Sequence, residues 1–457
     1  MFSLKHQVRR HAMMIAAVAA TVGFAAASHA APIYWAPPPA SDPDVGGDGS
    51  INDNYFLSGT DYVGGAGGDI VFGGTGGTVT VDVPISLHSL TLNGRYTISD
   101  GTVDGTGTIT LPSGYPSYPT VLTSSGVNEI QAPISIPPAS NNSQSRAILN
   151  VIDGVLTIQD IDKGGAGALI KDGDGVLRIE GKFGSGGGLI IKNGTVVLAG
   201  TASKVFSTGG TGGTYFDAIT VDAPATLAGA PSLTSSGSIT LQISGHFAPG
   251  DNNDASRFNS VGTFQINASS NSSQSATVTF NSGSQFDLDL FVPDFDLTDA
   301  ATVGSLPSHD ALRLYNLYNS NSTTASNALY LNIDAGAIIN INDGSDVLEE
   351  GIYRIITLDL SGTNKRPRTI SYTGGDIADF IDTFASDLFT IGDASDLYSY
   401  DFRINTDGTS LDGSIAYTSI DLRITKKPSV PSMPEPASLG LMGLGCGVLL
   451  LRGKRRS

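Results

Sequence analysis

Apolar and polar residues alternate along most of this chain in short runs broken by Gly, Asn, Asp and Ser. Seven such runs, Thr78 to Asp82, Ser89 to Leu92, Thr108 to Leu111, Val155 to Ile158, Val176 to Ile179, Gly188 to Lys192 and Thr195 to Leu198, are rich in Val, Ile, Leu and Thr. A period of two between turn signals predicts strands of four or five residues. Strands this short and numerous do not fit one sandwich. They predict rungs of a solenoid, in which each unit buries its apolar face only against its neighbours. No long helical period occurs before Phe258.

Beyond Phe258 the runs lengthen, as in Gly351 to Leu360, and Asp376 to Phe389 carries helix-like spacing of Ile377, Phe380, Ile381, Phe384 and Leu388. We read residues 258–425 as terminal rungs and a β-rich capping subdomain, because an open solenoid end exposes unpaired backbone. An internal echo joins Thr78-Val-Thr-Val-Asp-Val-Pro-Ile-Ser-Leu87 to Ala218-Ile-Thr-Val-Asp-Ala-Pro-Ala-Thr-Leu227 and predicts equivalent rungs.

Composition narrows the function classes. The 457 residues include 57 Gly and 22 Pro, and only 15% are charged, which argues against a long helical protein. Acids outnumber bases 43 to 25, for a net charge of −18, so nucleic acid is not an expected partner. The single Cys, Cys446, excludes an intrachain disulfide framework and a Cys-based zinc cluster.

Both ends read as addresses. Lys5, Arg9 and Arg10 precede an uncharged run from Ala12 to Ala27 and then Ser28-His29-Ala30. This basic, apolar and small-residue order predicts a signal peptide over residues 1–30, used by the export machinery and cleaved after Ala30. At the other end Pro434-Glu435-Pro436 is followed by an apolar run, 437–451, and by Arg452, Lys454, Arg455 and Arg456. Positive charges after an apolar run arrest it in a membrane, charges inward. At ~1.5 Å per residue, however, that run falls short of a ~30 Å hydrocarbon core. With both ends removed, the remaining body is more acidic, near −25, and has no Cys.

The C-terminal order of Pro434-Glu435-Pro436, short Gly-rich apolar helix and basic tail resembles the PEP-CTERM sorting signal of exopolysaccharide-producing Gram-negative bacteria. The resemblance implies recognition of Pro434, Glu435 and Pro436 by an exosortase, transient inner-membrane anchoring by a single transmembrane sorting helix, and delivery to the cell surface or matrix. Gly164 to Gly200 (GGAGALIKDGDGVLRIEGKFGSGGGLIIKNGTVVLAG) resembles the autotransporter-associated β-strand repeat of large surface passengers: a strand into Lys171, a turn through Asp172-Gly173-Asp174-Gly175, a strand, a Gly-rich corner, and a strand ending Leu-Ala-Gly. Gly245-His-Phe-Ala-Pro-Gly250 is similar to the corner near the end of such passengers. The resemblance implies a right-handed parallel β-helix. No translocator barrel follows, so it implies the passenger architecture alone.

Candidate chemistry is sparse. Gly64-Gly-Ala-Gly-Gly-Asp69-Ile-Val-Phe72 fits a calcium-binding nonapeptide, in which a cation sits between successive turns, but the following copy has Thr78 where a second carboxylate belongs. A Gly-rich hairpin explains both copies better, with calcium at Asp69 as the alternative. Asp44 to Asn52 has half the oxygen pattern of a calcium loop and reads as a solvated loop. Phe286-Asp287-Leu-Asp289-Leu-Phe-Val-Pro-Asp294-Phe-Asp296 alternates acid with apolar residues; we expect its carboxylates to keep one strand face soluble, with paired-acid glycoside hydrolysis as the alternative. His88, His246 and His309 form no ligand spacing and are expected at surface or turn positions. Tyr115 with Tyr118, and Tyr398 with Tyr400, are candidate sugar-stacking pairs.

The expected organisation is therefore a signal peptide (1–30), a β-solenoid (31–257), terminal rungs and cap (258–425), a Pro-rich linker (426–433) and a sorting signal (434–457). The expected role is a non-enzymatic structural or adhesive protein of the surface or exopolysaccharide matrix, touching exopolysaccharide or other surface proteins. Alternatives are a polysaccharide lyase or hydrolase, by analogy of fold, and a calcium-tuned adhesin.

Overall fold

The structure, a computed structural model, describes residues 33–35, 48–50, 56–58, 61–62, 68–101, 107–111, 120–137, 146–164, 167–185, 187–199, 204–206, 217–235, 238–250, 262–268, 275–290, 309–316, 328–342, 350–360, 368–372, 390–391, 398–409 and 416–427. Among them every regular element is a β-strand, and most strands pair in parallel, the arrangement of a β-solenoid. The helix-like stretch 376–389, the apolar run 437–451, Ala30 and Pro434 to Pro436 lie outside the described residues. The chain divides into two compact units, the first ending at Val196 apart from a short return segment, the second holding the described residues from 217 onward.

In the first unit each rung contributes one short strand to each of three parallel columns. The first column runs through Asp69–Phe72, Ser89–Gly94, the start of Thr120–Ile130, Ala147–Val151, Leu169–Asp172 and Leu189–Ile191. Its inward positions form a stack, Ile70, Leu90, Leu122, Leu149, Lys171 and Ile191, each the register partner of the next. The second column stacks Val79, Ile98, Ile130, Ile158 and Ile179. The third stacks Ile85, Ile109, Ile134, Ile161 and Phe183. All of these side chains are buried, and each aliphatic one removed from water contributes roughly 1.5–3 kcal/mol before entropy is charged against it. The period-two pattern thus set the strands, and register between rungs built the core.

The Gly-rich segment before Thr78 is a corner, not the hairpin expected. Asp69–Phe72 and Gly77–Val81 do not pair with each other; each pairs in parallel with the next rung, at Ser89–Gly94 and Tyr96–Asp100 respectively. Antiparallel pairing occurs instead earlier in the chain, where Ile33–Trp35 meets Phe56–Ser58, which in turn meets Asp61–Tyr62. Buried Trp35 packs on Phe72 at 5.6 Å, and Phe72 on Tyr96 at 5.4 Å. This aromatic stack begins the core of the unit.

Inward corner carbonyls need donors, because a buried unpaired carbonyl costs about 1–3 kcal/mol. Successive rungs supply different ones. Tyr96 Oη donates to Gly73 O at 2.5 Å. Buried Asn128 accepts from Tyr96 N and donates to Ser124 Oγ and Ser125 O. Lys171, 0% exposed in the core stack, donates from Nζ to Asp172 O (3.0 Å), Gly173 O (2.6 Å) and Asn193 O (3.0 Å). Burial lowers its pKa to about 8, against partial compensation from Asp172 and Asp174. Lys163, equally buried and bonded to Gly164 O, is lowered to about 8 by the same cause.

The second unit repeats the three-column plan. Its columns stack Ile219, Leu241, Val278, Leu331 and Ile370; Leu227, Phe247, Phe286, Ile339 and Ile391; and Phe264, Leu312 and Ile356. Phe247 lies 5.0 Å from Phe264 and 5.5 Å from Phe286, so aromatic packing joins the second column to the third. The third column then changes direction: Gly351–Leu360 pairs antiparallel with Ala416–Lys426, and that strand pairs antiparallel with Tyr398–Thr409. Across the first junction Arg354 Nε donates to Asp421 Oδ1 at 3.0 Å, and Ser419 Oγ donates to the same oxygen.

The internal echo occupies different corners in the two units. Thr78 to Val81 lies in the second column of its unit and leads to the third through Asp82-Val83-Pro84. Ala218 to Val221 leads through Asp222-Ala223-Pro224 to the column containing Thr226–Gly229 and Phe247. The repeated string therefore marks neither equivalent faces nor the same turn: Ala225 N donates to Asp222 O within its corner, whereas Ile85 N donates to Thr108 O of the next rung.

Candidate functional site

On the second column of the second unit, polar side chains of successive rungs join in one hydrogen-bonded group. In Gln285–Asp289, Phe286 and Leu288 point into the core, which sends Gln285, Asp287 and Asp289 to the other face. Parallel register sets His246 beside Gln285, and Asp287 beside Asn340. His246 Nδ1–H donates to Asp287 Oδ2 at 2.9 Å, which fixes the ring tautomer and leaves Nε2 for a ligand. Asn340 Nδ2 donates to Asp287 Oδ1 and to Gln285 Oε1, both at 2.6 Å. Three successive rungs, spaced ~4.8 Å apart, thus carry one continuous hydrogen-bonded ladder. His246 and Asp287 are both partly exposed.

Two residues further along the same strand the environment changes. Asp289 is only 3% exposed, and beside it His309 and Asp310 are 0% and 2% exposed. Leu290 and His309 form an antiparallel bridge that closes the neck of the connection between them. Asp310 Oδ2 accepts from Asp289 N and its Oδ1 from Gly262 N, both at 2.9 Å, while Asp310 N donates to Asp289 O. One carboxylate therefore ties together the return points of two connections on consecutive rungs, those ending at Gly262 and at His309. His309 packs edge-on against Tyr353 and donates from Nε2 to Arg354 O at 3.2 Å.

These contacts correct two expectations. The acid row does not simply solvate a strand face: Asp287 joins a ladder and Asp289 is buried. His309 is a core residue, not a surface one, because its ring closes the neck against Tyr353. Asp294 and Asp296 lie outside the described residues. The sequence offered no route to the pairing of His246 with Asp287, since 41 positions separate them and only the rung register joins them.

Asp69 sits on the first column of the first unit, where its Oδ1 accepts from Ser89 Oγ and from His88 Nδ1, both at 2.7 Å. Thr78, in the position where a second carboxylate was sought, donates its backbone N–H to Asp48 Oδ1 at 2.6 Å. Asp48 thus serves as a turn acceptor. Tyr115 and Tyr118 lie outside the described residues, and Tyr398 and Tyr400 lie in the last antiparallel strand pair.

Among the described residues no group of three or more His, Cys, Asp or Glu side chains has the placement of a metal site. No protein-family model, curated protein or solved structure matches the chain.

Proposed function

We propose that this chain is an exported structural or adhesive β-solenoid, coiled right-handed, cut at Pro434-Glu435-Pro436 by an exosortase, and delivered to the surface or exopolysaccharide matrix of a Gram-negative bacterium. The observation that supports it is the pairing of a stacked, three-column parallel core with an outward ladder of His246, Gln285, Asp287 and Asn340. Donors and acceptors repeated at rung spacing suit the hydroxyl groups of an extended polysaccharide. The two terminal address segments supply the route out of the cell.

The test is intact-mass analysis of a version tagged just before Pro434, expressed with and without the host exosortase. Loss of the tail only in its presence supports the reading; a retained tail in both refutes it. A second reading, a polysaccharide lyase or hydrolase, draws on the His246–Asp287 dyad beside Asp289. Loss of depolymerising activity in Asp287→Asn, with the fold retained, would establish it. Calcium at Asp69 is tested by the melting temperature: a chelator leaves it unchanged if Asp69 holds no ion.

A further inference from the structure

We infer that the outward face of the first column in the second unit binds an extended, uncharged polysaccharide lying along the stack of rungs, with Tyr330 as its platform. On this column the inward stack of Leu241, Val278 and Leu331 leaves alternate residues facing out. They form two files across successive rungs. One carries Thr240, Thr277 and Tyr330, the other Gln242, Thr279, Asn332 and Ser371. These side chains are half-buried or exposed. Neighbours within a file stand ~4.8 Å apart and the files about 6.6 Å apart, so the face is a regular grid.

The second file is held in place before any ligand arrives. Ser371 Oγ donates to Asn332 Oδ1 at 2.5 Å, and Asn332 Nδ2 donates to Thr279 Oγ1 at 3.2 Å. Three successive rungs thereby share one run of hydrogen bonds, all pointing the same way. A hydroxyl both donates and accepts, so the run ends with the Thr279 O–H as a donor and begins at the Ser371 oxygen as an acceptor. Side chains fixed in this way lose little further freedom when the hydroxyl groups of a ligand meet them.

Charge and shape select the occupant. Among the described residues neither file holds a carboxylate, an ammonium or a guanidinium, although the chain carries −18 overall. A charged polymer therefore meets no complementary group on this grid. Asp222 and Asp334 follow the second file by two residues and repel an acidic chain at its corner end. Tyr330 sets a flat apolar ring among polar neighbours. That combination suits the two sides of a pyranose, C–H groups on its face and hydroxyls on its rim. A protein partner calls for an apolar cluster, whereas the register partners of Tyr330 are Thr277 and Thr369.

The inference rests on the surface or matrix reading only for where such a glycan is met; binding itself is measured on purified protein. The full chain, in a polyoxyethylene detergent that carries no sugar, is mixed with suspensions of cellulose and mannan (uncharged), chitosan (basic) and insoluble pectate (acidic), and the unbound protein is measured. Depletion by an uncharged glycan is expected, about tenfold weaker in Tyr330→Ala and little changed in Tyr330→Phe, which keeps the ring. Thr279→Asp sets a carboxylate in the grid and is expected to weaken binding as well. Unchanged urea midpoints show that these outward substitutions leave the fold intact. Depletion by chitosan or pectate alone, or by none of the glycans, overturns the proposal. Binding of an uncharged glycan that survives Tyr330→Ala and Thr279→Asp also overturns it; if that binding is lost in His246→Ala instead, the ladder on the second column is the site and the proposed function is untouched.

Discussion

The two units build the same three-column rung and differ in how uniformly their corners are packed. In the first unit the corners between first and second columns are tight, and the backbone of one rung lies directly on the next. A Cβ placed on Gly173, whose φ is +78°, would meet Val151 O at 2.2 Å. In the second unit the corners are mixed: a Cβ on Gly245 would meet Ala225 O at 2.2 Å, whereas at the turn Asn281 to Ser284 a Cβ on Gly283, φ +82°, meets nothing within 4 Å. Its rungs are tied by side chains as well as by backbone, above all by the Asp310 carboxylate that gathers Asp289 N and Gly262 N. Close backbone stacking leaves no room for a side chain at the corner itself, whereas the open turn at Gly283 does. Connections between rungs are where binding surfaces are commonly displayed, and the Asp310 clamp secures two of them in the second unit.

The largest expected effect tests the clamp. Asp310→Ala leaves the buried Asp289 N–H and the half-buried Gly262 N–H without their charged acceptor and should cost about 4 kcal/mol, since hydrogen bonds to charged groups are worth ~1.5–3 kcal/mol each. Asp310→Asn retains an acceptor oxygen and should lose less. Urea midpoints of the three proteins decide the matter; a loss under about 1 kcal/mol for the alanine variant would mean that the neck holds without Asp310.

The next effect tests the contrast between corners. Gly173→Ala adds a left-handed backbone conformation to a carbonyl clash, and about 3 kcal/mol is expected. Gly283→Ala incurs the conformational cost alone, about 1 kcal/mol. Equal losses in urea unfolding would erase the distinction drawn between the two kinds of corner.

How far these features could be read in the sequence follows from what each depends on. Val155–Ile158, Val176–Ile179 and Thr195–Leu198 coincide with the runs read from period two, because alternation is a local property. The solenoid followed from their brevity and number. Lys171 shows where locality ends. Its charge breaks no strand pattern, and only the register of Leu149, Lys171 and Ile191 reveals a lysine in a core stack. The ladder of His246, Asp287 and Asn340 and the clamp at Asp310 are likewise products of rung register across connections of unequal length, which no local period records. Asp69 was visible as a carboxylate after a Gly run, but its partners His88 and Ser89 belong to the next rung.

The last effect concerns the interior lysine, which satisfies corner carbonyls of the first unit where the second unit uses an acid clamp. Lys171 has an ordinary pKa of 10.5 in the unfolded chain and one of about 8 in the fold. Between those values the unfolded chain holds a proton that the fold has released, so stability rises with pH across the window. From pH 8 to pH 9.5 that contribution amounts to about 2 kcal/mol. Lys171→Met removes it, whatever the variant's stability at neutral pH, because methionine does not titrate. The measurement is the difference in unfolding free energy between the two proteins at several pH values in that interval. Other titrating groups, Lys163 among them, act on both proteins and cancel in the difference. A difference that stays constant from pH 8 to 9.5 would mean that Lys171 remains charged in the fold and that the three carbonyls around it fully replace its water.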